Sequence, residues 1–166
     1  MTEREKMING ELYDPTDKEL EELRLKARKL ARKYNLTDEE QQEEQAQILR
    51  ELLPATEELP YLQAPVYFDY GCNTYFGKYS FANFNFTCLD VCEVHIGDNV
   101  MIGPNVTLAT PMHPLLPEER NIQKREDGSI YKEIIPECSG TGFRSKKCYD
   151  LFCRKRAGRC ADCLGK

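Results

Sequence analysis

The chain has 166 residues, a net charge of −5 and 40% hydrophobic residues, which suffices for one domain with a real core plus an extension. The acidic balance gives no reason to expect nucleic acid as a partner, and no run of about 18 apolar residues predicts a membrane span. We therefore expect a soluble, cytoplasmic protein with reduced thiols and no membrane partner.

Residues 1–55 are predicted to form a short helical module. Asp14 and Pro15 are typical of a helix start, and an apolar stripe at helical spacing follows over residues 20–34. A capping box at residues 37–40 predicts a second helix, which Pro54 should end. Because helices this short are marginal alone, we expect them to pack on another surface.

The sequence becomes typical of β-strands after a proline-containing linker at residues 55–65. Aromatic residues then alternate with glycine and asparagine, which indicates short strands joined by tight turns. Phe76 lies 20 residues before Ile96, whereas three six-residue repeats would take 18. We therefore expect a two-residue insertion or a turn variant near residues 89–95.

A six-residue repeat places an aliphatic residue at Ile96, Ile102 and Leu108. This period fits neither an amphipathic helix nor an alternating strand, and it is the signature of a parallel β-helix. The aliphatic side chains should point into the coil, while a nearby Gly or Asn takes the left-handed angles of each turn. The alternative is two ordinary strands joined by a turn at residues 97–99.

The end of the chain departs from this repeat. Residues 114–131 lack it and are predicted to form an extended loop beside His113. Residues 132–166 carry nine Lys and Arg against four Asp and Glu, and five of the eight cysteines. Such a composition cannot fill the inside of a β-helix.

Three interpretations of this tail stay open. It could be a frameshifted or disordered end without evolved structure, a basic interaction segment, or a small metal site. The metal site would use a C-x4-C-x6-C-x2-C spacing, in which one gap alone has the length common in zinc sites. Its four ligands would be Cys148, Cys153, Cys160 and Cys163.

Six ordered segments of residues 1–131 resemble the sugar O-acetyltransferases of the maltose and galactoside type, within the hexapeptide-repeat acyltransferases. The maltose enzymes are the closer of the two types, and the tail does not match either. The segments are GELYD (10–14), LRLKAR (23–28), PVYFDYG (65–71), SFANFNFTCLD (80–90), IGDNVMIGPNV (96–106) and ATPMHPL (109–115).

This resemblance implies a mainly β fold, in which the helical module precedes a left-handed parallel β-helix at residues 56–113. The β-helix is expected to be truncated, because the tail replaces the coils that carry most of the acetyl-CoA groove in the family. A homotrimer with active sites between neighbouring subunits is the usual assembly. The implied activity is acetyl transfer from acetyl-CoA to a sugar hydroxyl of a maltose- or glucose-type acceptor, impaired here by the lost coils.

The resemblance also implies the site residues. His113 matches the general base, a role that suits an imidazole because it titrates near neutral pH. Asn83 matches a residue that contacts the acceptor and lies close to the thioester of acetyl-CoA. The other histidine, His95, is predicted to lie on the surface of a strand. Phe81 stands where relatives can carry Tyr, so no hydroxyl contact is expected there.

Four more residues match acceptor contacts: Asp69, Asp90, Asp14 and Arg24. After Asp90 the galactoside enzymes have a second acid, which is missing here. Helix capping and a solvated helix face are the alternative roles of Asp14 and Arg24, and a left-handed turn is the alternative role of Asn83. No metal is expected. The alternative function is a non-catalytic trimeric β-helix that binds sugar or serves a structural role.

Overall fold

The computed structural model describes residues 1–11 and 13–111, and the backbone of residues 123–124 and 130–132. No helix in this part of the chain is long and apolar enough to cross a membrane. The helices are α1 (Glu3–Asn9), α2 (Lys18–Leu36) and α3 (Gln42–Leu52). The strands are β1 (Tyr61–Leu62), β2 (Val66–Phe68), β3 (Thr74–Phe76), β4 (Phe81–Ala82), β5 (Phe86–Leu89), β6 (Val94–Ile96), β7 (Met101–Ile102), β8 (Thr107–Ala109), β9 (Gln123–Lys124) and β10 (Ile130–Lys132).

The helical module contains α1 in addition to the two expected helices. Thr2 and Glu5 form a capping box at its start: the Thr2 hydroxyl accepts from the Glu5 N–H at 3.1 Å, and the Glu5 carboxylate accepts from the Thr2 N–H at 2.7 Å. Gly10 ends the helix with a φ of 76°. The signal was present in the sequence as Thr-x-x-Glu, in a short polar segment for which no helix of its own was predicted.

The predicted start of α2 at Asp14-Pro15 is wrong. The helix begins at Lys18, because Asp17 is its N-cap and accepts from the Glu19 and Leu20 N–H groups at 3.0 and 3.3 Å. Two aspartates could have capped this helix, and the one nearer the first buried leucine does so.

The predicted capping box at residues 37–40 is also wrong. Thr37 is instead the C-cap of α2, where its hydroxyl donates to the Lys33 carbonyl at 2.8 Å. The unpaired carbonyls of the last turn of α2 and the N–H groups of a following helix are alternative partners for this hydroxyl, and in this chain it binds a carbonyl. Helix α3 begins only at Gln42 and ends two residues before Pro54.

Strands β1 to β8 form the parallel β-helix that the six-residue repeat predicts. They lie in three parallel sheets with the orders β1-β4-β7, β2-β5-β8 and β3-β6, and every paired residue is 20 positions from its partner. The extra two residues of each coil fall between β5 and β6, as expected, and also between β2 and β3. The alternative of two strands joined at residues 97–99 is wrong, because β6 and β7 belong to different sheets. The left-handedness and the truncation of the β-helix stay predictions.

Every strand of the coils contributes a buried residue to the inside, and β2, β3, β5 and β6 contribute two each. Asn85, Asn99 and Asn105 take positive φ angles of 59°, 57° and 60° at three turns, and Tyr79 and Gly71 take 56° and 69°, so asparagine provides most of the left-handed angles and glycine one of them. The inward ladder is at most 7% exposed and consists of Leu62, Phe68, Phe76, Ala82, Cys88, Ile96, Ile102 and Leu108.

Side chains from the N-terminal part of the chain cover the open edge of the first coil. The Tyr34 hydroxyl donates to the Leu62 carbonyl of β1 at 2.6 Å, and Asn35 bonds the backbone of β2. The Thr56 hydroxyl accepts from the Phe76 N–H of β3 at 3.1 Å. The expected partner surface of the helices is therefore the end of the β-helix, and each of its three strands receives a side chain.

The segment at residues 114–131 contains strands β9 and β10, which pair antiparallel rather than as a further coil. Strand β10 extends past the predicted boundary to Lys132. His113 and the tail cysteines lie outside the described residues. The boundaries at residues 55, 113 and 131 stay predictions.

Candidate active site

Two corners of the β-helix carry the described candidate residues. The Tyr70 corner (residues 69–73) joins β2 to β3, and residues 90–93 repeat it one coil later. The Asn83 corner (residues 83–85) joins β4 to β5. Asp69, Asp90, Arg24 and Asp14 gather around the Tyr70 corner, whereas Asn83 lies at a different corner of the same chain.

Arg24 connects the helical module to the Tyr70 corner. Its guanidinium donates to the Tyr70 hydroxyl at 2.7 Å and to the Pro15 carbonyl at 2.6 Å, and it lies 5.7 Å from the centre of the Tyr70 ring. The side chain is half-buried. The alternative of a solvated helix face is therefore wrong for Arg24, because both of its terminal nitrogens are held by specific partners.

Asp14 lies in the loop before α2 and is exposed. Its Oδ1 accepts from the Thr16 N–H at 2.8 Å and from the Thr16 hydroxyl at 2.6 Å. These hydrogen bonds favour the carboxylate and lower the pKa of Asp14. The residue thus offers an ionised acceptor beside Pro15, whose carbonyl binds Arg24.

Asp69 faces helix α2 at the start of the Tyr70 corner. Its carboxylate accepts from Arg28 at 3.2 Å, and the side chain of Asp69 is 20% exposed. The pair borders a cleft of about 450 Å³ between α2 and β2. Asp69 is therefore held by a cation but still reaches solvent, as an acceptor contact requires.

Asp90 is placed differently from the other three residues around this corner. It is 0% exposed, and its carboxylate accepts from the Tyr70 N–H at 2.8 Å and from the Thr74 hydroxyl at 3.0 Å. Burial raises the pKa of Asp90 to about 6, against the lowering effect of these hydrogen bonds. A carboxylate enclosed in this way has no surface with which to contact a sugar, so the direct acceptor contact expected of Asp90 is wrong for this chain.

Asn83 is half-buried, and its side-chain oxygen accepts from the Phe84 N–H at 2.7 Å. Among the described residues its Nδ2 group has no hydrogen-bond partner. The left-handed position of this corner belongs to Asn85, so the turn role that we considered for Asn83 is wrong. An amide held by its oxygen and open at its nitrogen is suited to donate to a ligand.

His95 lies on the outer side of β6, as predicted. Its ring stacks on Tyr75 with 4.3 Å between the centroids, and its Nε2 lies 3.0 Å from a Glu93 oxygen. Phe81 stacks on Tyr61 with 5.8 Å between centroids. No group of three or more His, Cys, Asp or Glu residues in the described chain could hold a metal ion.

Tyr70 and Arg28 contribute to the Tyr70 corner although neither was among the residues predicted from the sequence. Tyr70 is 3% exposed and lies in the motif PVYFDYG, beside Asp69. A buried tyrosine usually finds a partner for its hydroxyl, and this was the available signal. Nothing in the sequence could have shown that the partner would be an arginine 46 positions earlier.

Comparison with known proteins identifies the relatives of the chain. Residues 6–57 match the family model of the maltose acetyltransferase hexapeptide capping motif. The crystal structure of a maltose O-acetyltransferase from Clostridium difficile is 37% identical, with a TM-score of 0.70 over 82% of this chain and 68% of that one. The chain belongs to the hexapeptide-repeat acetyltransferases of the maltose and galactoside type.

Other members of these acetyltransferases agree. A galactoside acetyltransferase in complex with coenzyme A is 34% identical, with a TM-score of 0.65 over 80% of this chain and 64% of that one. The galactoside O-acetyltransferase of Escherichia coli is 36% identical over 79% of this chain. The chain spans less than two thirds of the curated relatives that it matches, for example 61% of the Escherichia coli protein. The resemblance in the sequence is thus confirmed at the level of the acetyltransferase family.

Proposed function

We propose that the chain transfers an acetyl group from acetyl-CoA to a hydroxyl of a maltose- or glucose-type sugar in the cytoplasm. The observation that carries this proposal is the polar cluster at the Tyr70 corner, in a chain of this acetyltransferase family. Asp14, Arg24 and Asp69 offer ionised groups of both signs at the surface between the module and the coil. Such groups suit the several hydroxyls of a sugar.

His113 is the proposed general base. It would take the proton from the acceptor hydroxyl as the oxygen attacks the thioester carbonyl, and the thiolate of CoA would then leave. Asn83 would donate its free Nδ2–H to the acceptor or to the thioester oxygen. Backbone N–H groups aimed at the developing oxyanion supply the largest electrostatic stabilisation in such reactions.

A homotrimer would bring the two corners together. The outer side of the β1-β4-β7 sheet carries an apolar ladder of Tyr61, Phe81 and Met101, in which Tyr61 is 62% and Met101 54% exposed. Phe81 lies two residues before Asn83. Contact between subunits at this ladder would therefore place Asn83 of one protomer at an interface, where it could face the Tyr70 corner of its neighbour.

Weak turnover is expected from this chain. Residues 132–166 do not continue the six-residue repeat, and the matching coils of the family are expected to carry most of the acetyl-CoA groove. We keep the proposed division into a module (1–55), coils (56–113), a loop (114–131) and a non-family tail (132–166). Neither nucleic acid, a membrane nor a metal is part of the proposed function.

Release of CoA thiol, with acetyl-CoA and maltose or glucose as substrates, tests this proposal. His113→Ala should abolish turnover, whereas His95→Ala, on the outer face of β6, should retain it. Equal turnover in both variants would refute the role of His113. A trimer that binds maltose but neither binds nor consumes acetyl-CoA would favour the non-catalytic alternative.

The role of Asn83 can be tested by an isosteric change. In Asn83→Asp the side chain can still accept from the Phe84 N–H, but it loses the Nδ2 donor. We expect turnover to fall about 10²-fold, as is typical when a single catalytic donor is removed, with unfolding by urea unchanged. Turnover within about twofold of the parent would remove Asn83 from the site.

A further inference from the structure

Asp90, on the next coil, is hydrogen-bonded to the Tyr70 corner and to the first residue of β3. Its carboxylate binds the Tyr70 N–H and the Thr74 hydroxyl, and the Asn73 amide donates to the Asp90 carbonyl at 2.8 Å. Asp90 belongs to the next coil, so these bonds join two successive corners. All four residues are buried. The position of the Tyr70 backbone is therefore fixed by polar contacts as well as by packing.

Tyr70 in turn holds the helical module. Its hydroxyl accepts from Arg24, and its ring packs in a second small core with Met7, Tyr13 and Leu20 of the module. The other terminal nitrogen of Arg24 binds the Pro15 carbonyl, in the loop that carries Asp14. A continuous line of contacts thus runs from Asp90 through Tyr70 and Arg24 to the loop before α2.

We propose that Asp90 is a positioning residue that, through Tyr70, holds Arg24 and the Asp14 loop in the arrangement that binds the acceptor sugar. The proposal rests on the proposed acetyltransferase function for the identity of the ligand. It assigns to Asp90 an indirect role, in place of the direct sugar contact that the sequence suggested.

The chemistry of the site supports this role. An enclosed carboxylate costs free energy that an apolar residue would not, and the pKa of Asp90, raised by burial, reflects that cost. In return the carboxylate offers several acceptor sites to backbone and hydroxyl donors that would otherwise be buried without a partner. It therefore specifies one geometry of the corner, whereas packing alone would tolerate several.

Hydrogen exchange of the full chain tests the line of contacts without requiring turnover. Loss of a hydrogen bond to a charged group is expected to speed exchange in residues 13–24 about tenfold in Asp90→Ala and in Tyr70→Phe. The double variant should show no further increase, because both changes break the same line. Asp90→Asn, which keeps an oxygen for the Tyr70 N–H, should restore protection.

Val94→Ala is the matched control. Val94 is 1% exposed, and its side chain packs in the main core rather than in the second core around Tyr70. Its backbone N–H donates to the Asn73 carbonyl at 2.9 Å, and alanine keeps that bond, so the change opens a cavity on the same coil without removing a hydrogen bond of the line. Exchange in residues 13–24 should stay within about twofold of the parent. If Asp90→Ala fails to fold, Thr74→Val removes a single bond to the carboxylate and should give a smaller rise in the same segment. An equal rise in Val94→Ala, or no rise in Tyr70→Phe, would overturn the proposal.

A kinetic measurement separates positioning from general destabilisation. Tyr70→Phe should raise the KM for the sugar about tenfold, with kcat and the KM for acetyl-CoA within about twofold of the parent. A fall in kcat at unchanged sugar KM would contradict the positioning role. Absence of turnover in the parent chain would count against the proposed function alone, since hydrogen exchange still decides the role of Asp90.

Discussion

Asn35 on helix α2 binds both backbone groups of Val66 on strand β2. Its side-chain oxygen accepts from the Val66 N–H at 2.8 Å, and its amide donates to the Val66 carbonyl at 2.9 Å. The side chain thus makes the two hydrogen bonds that a neighbouring strand would make on that edge. A helix side chain replaces the missing coil, and so α2 can lie against the end of the β-helix without leaving polar groups unpaired.

Asn35→Leu should therefore destabilise the chain. Val66 is 0% exposed, so both of its backbone groups would lose their partner, at about 1–3 kcal/mol for each. Asn35→Asp keeps the acceptor and loses the donor, and it should cost about half as much. Unfolding in urea, followed by circular dichroism, measures the difference. Equal stability of Asn35→Leu and the parent would show that water satisfies this edge.

Gly71 is required by a close approach to helix α3. A Cβ there would lie 2.4 Å from the Leu52 carbonyl oxygen, and the residue has a φ of 69°. Gly71→Ala should therefore cost at least about 2 kcal/mol, since both the contact and the backbone angle oppose it. Gly103→Ala is the matched control, because a Cβ there meets nothing within 4 Å, and its cost should stay below about 1 kcal/mol. Urea midpoints at constant m-value compare the two variants.

Met101 and Ile102 are consecutive residues on opposite sides of β7. Ile102 is 7% exposed inside the coil, so Ile102→Ala should lower the free energy of unfolding by about 2–5 kcal/mol. Met101→Glu should leave the coil intact but disrupt the proposed trimer, since it puts a charge into the apolar ladder. Light scattering after gel filtration gives the mass of each variant. A Met101→Glu protein that keeps the mass of the parent would place the interface elsewhere.

The stability of the chain should depend on Asp90 in a defined pH window. The pKa of Asp90 is raised from 3.8 to about 6, so folding favours its neutral form. The contribution of Asp90 to the free energy of unfolding is greatest below pH 4 and falls as the pH rises from about 4 to 6. At neutral pH it is lower than below pH 4 by an amount on the order of 3 kcal/mol. Tyr70, Cys72 and Cys88 around it stay neutral, because burial raises the pKa of each.

Asp90→Asn isolates this contribution, because the amide never ionises. Relative to the parent, the variant should gain stability as the pH rises from about 4 to 6 and then stay level. Urea unfolding of both proteins across this range measures the gain, and other carboxylates cancel in the difference. A constant difference at every pH would mean that the two proteins bind the same number of protons on folding.

The repeat of Ile96, Ile102 and Leu108 was sufficient to predict the β-helix, because a buried residue every six positions has few other structural meanings. The 20-residue spacing of Phe76 and Ile96 likewise predicted the longer corner. Spacing could not show which of two aspartates caps α2, because Asp14 and Asp17 each accept from the N–H group two residues later in the chain.

The candidate site was harder to predict than the coils. Arg24 and Asp90 have the charge of sugar-binding residues, but their partners come from distant parts of the chain. A pattern of residue types reports which groups could bind a ligand, whereas burial decides which of them remain available. The same type of residue is therefore surface-accessible at Asp69 and enclosed at Asp90.

The side chains that cover the edge of the first coil limit the end at which the β-helix can be extended. Tyr34, Asn35 and Thr56 saturate one edge with groups that fit a particular strand register, so an added repeat before β1 would detach them. After β8 an inserted block of 20 residues would simply extend the three stacks. The β-helix of such a protein should therefore lengthen in evolution by whole coils, and only at the end that follows β8.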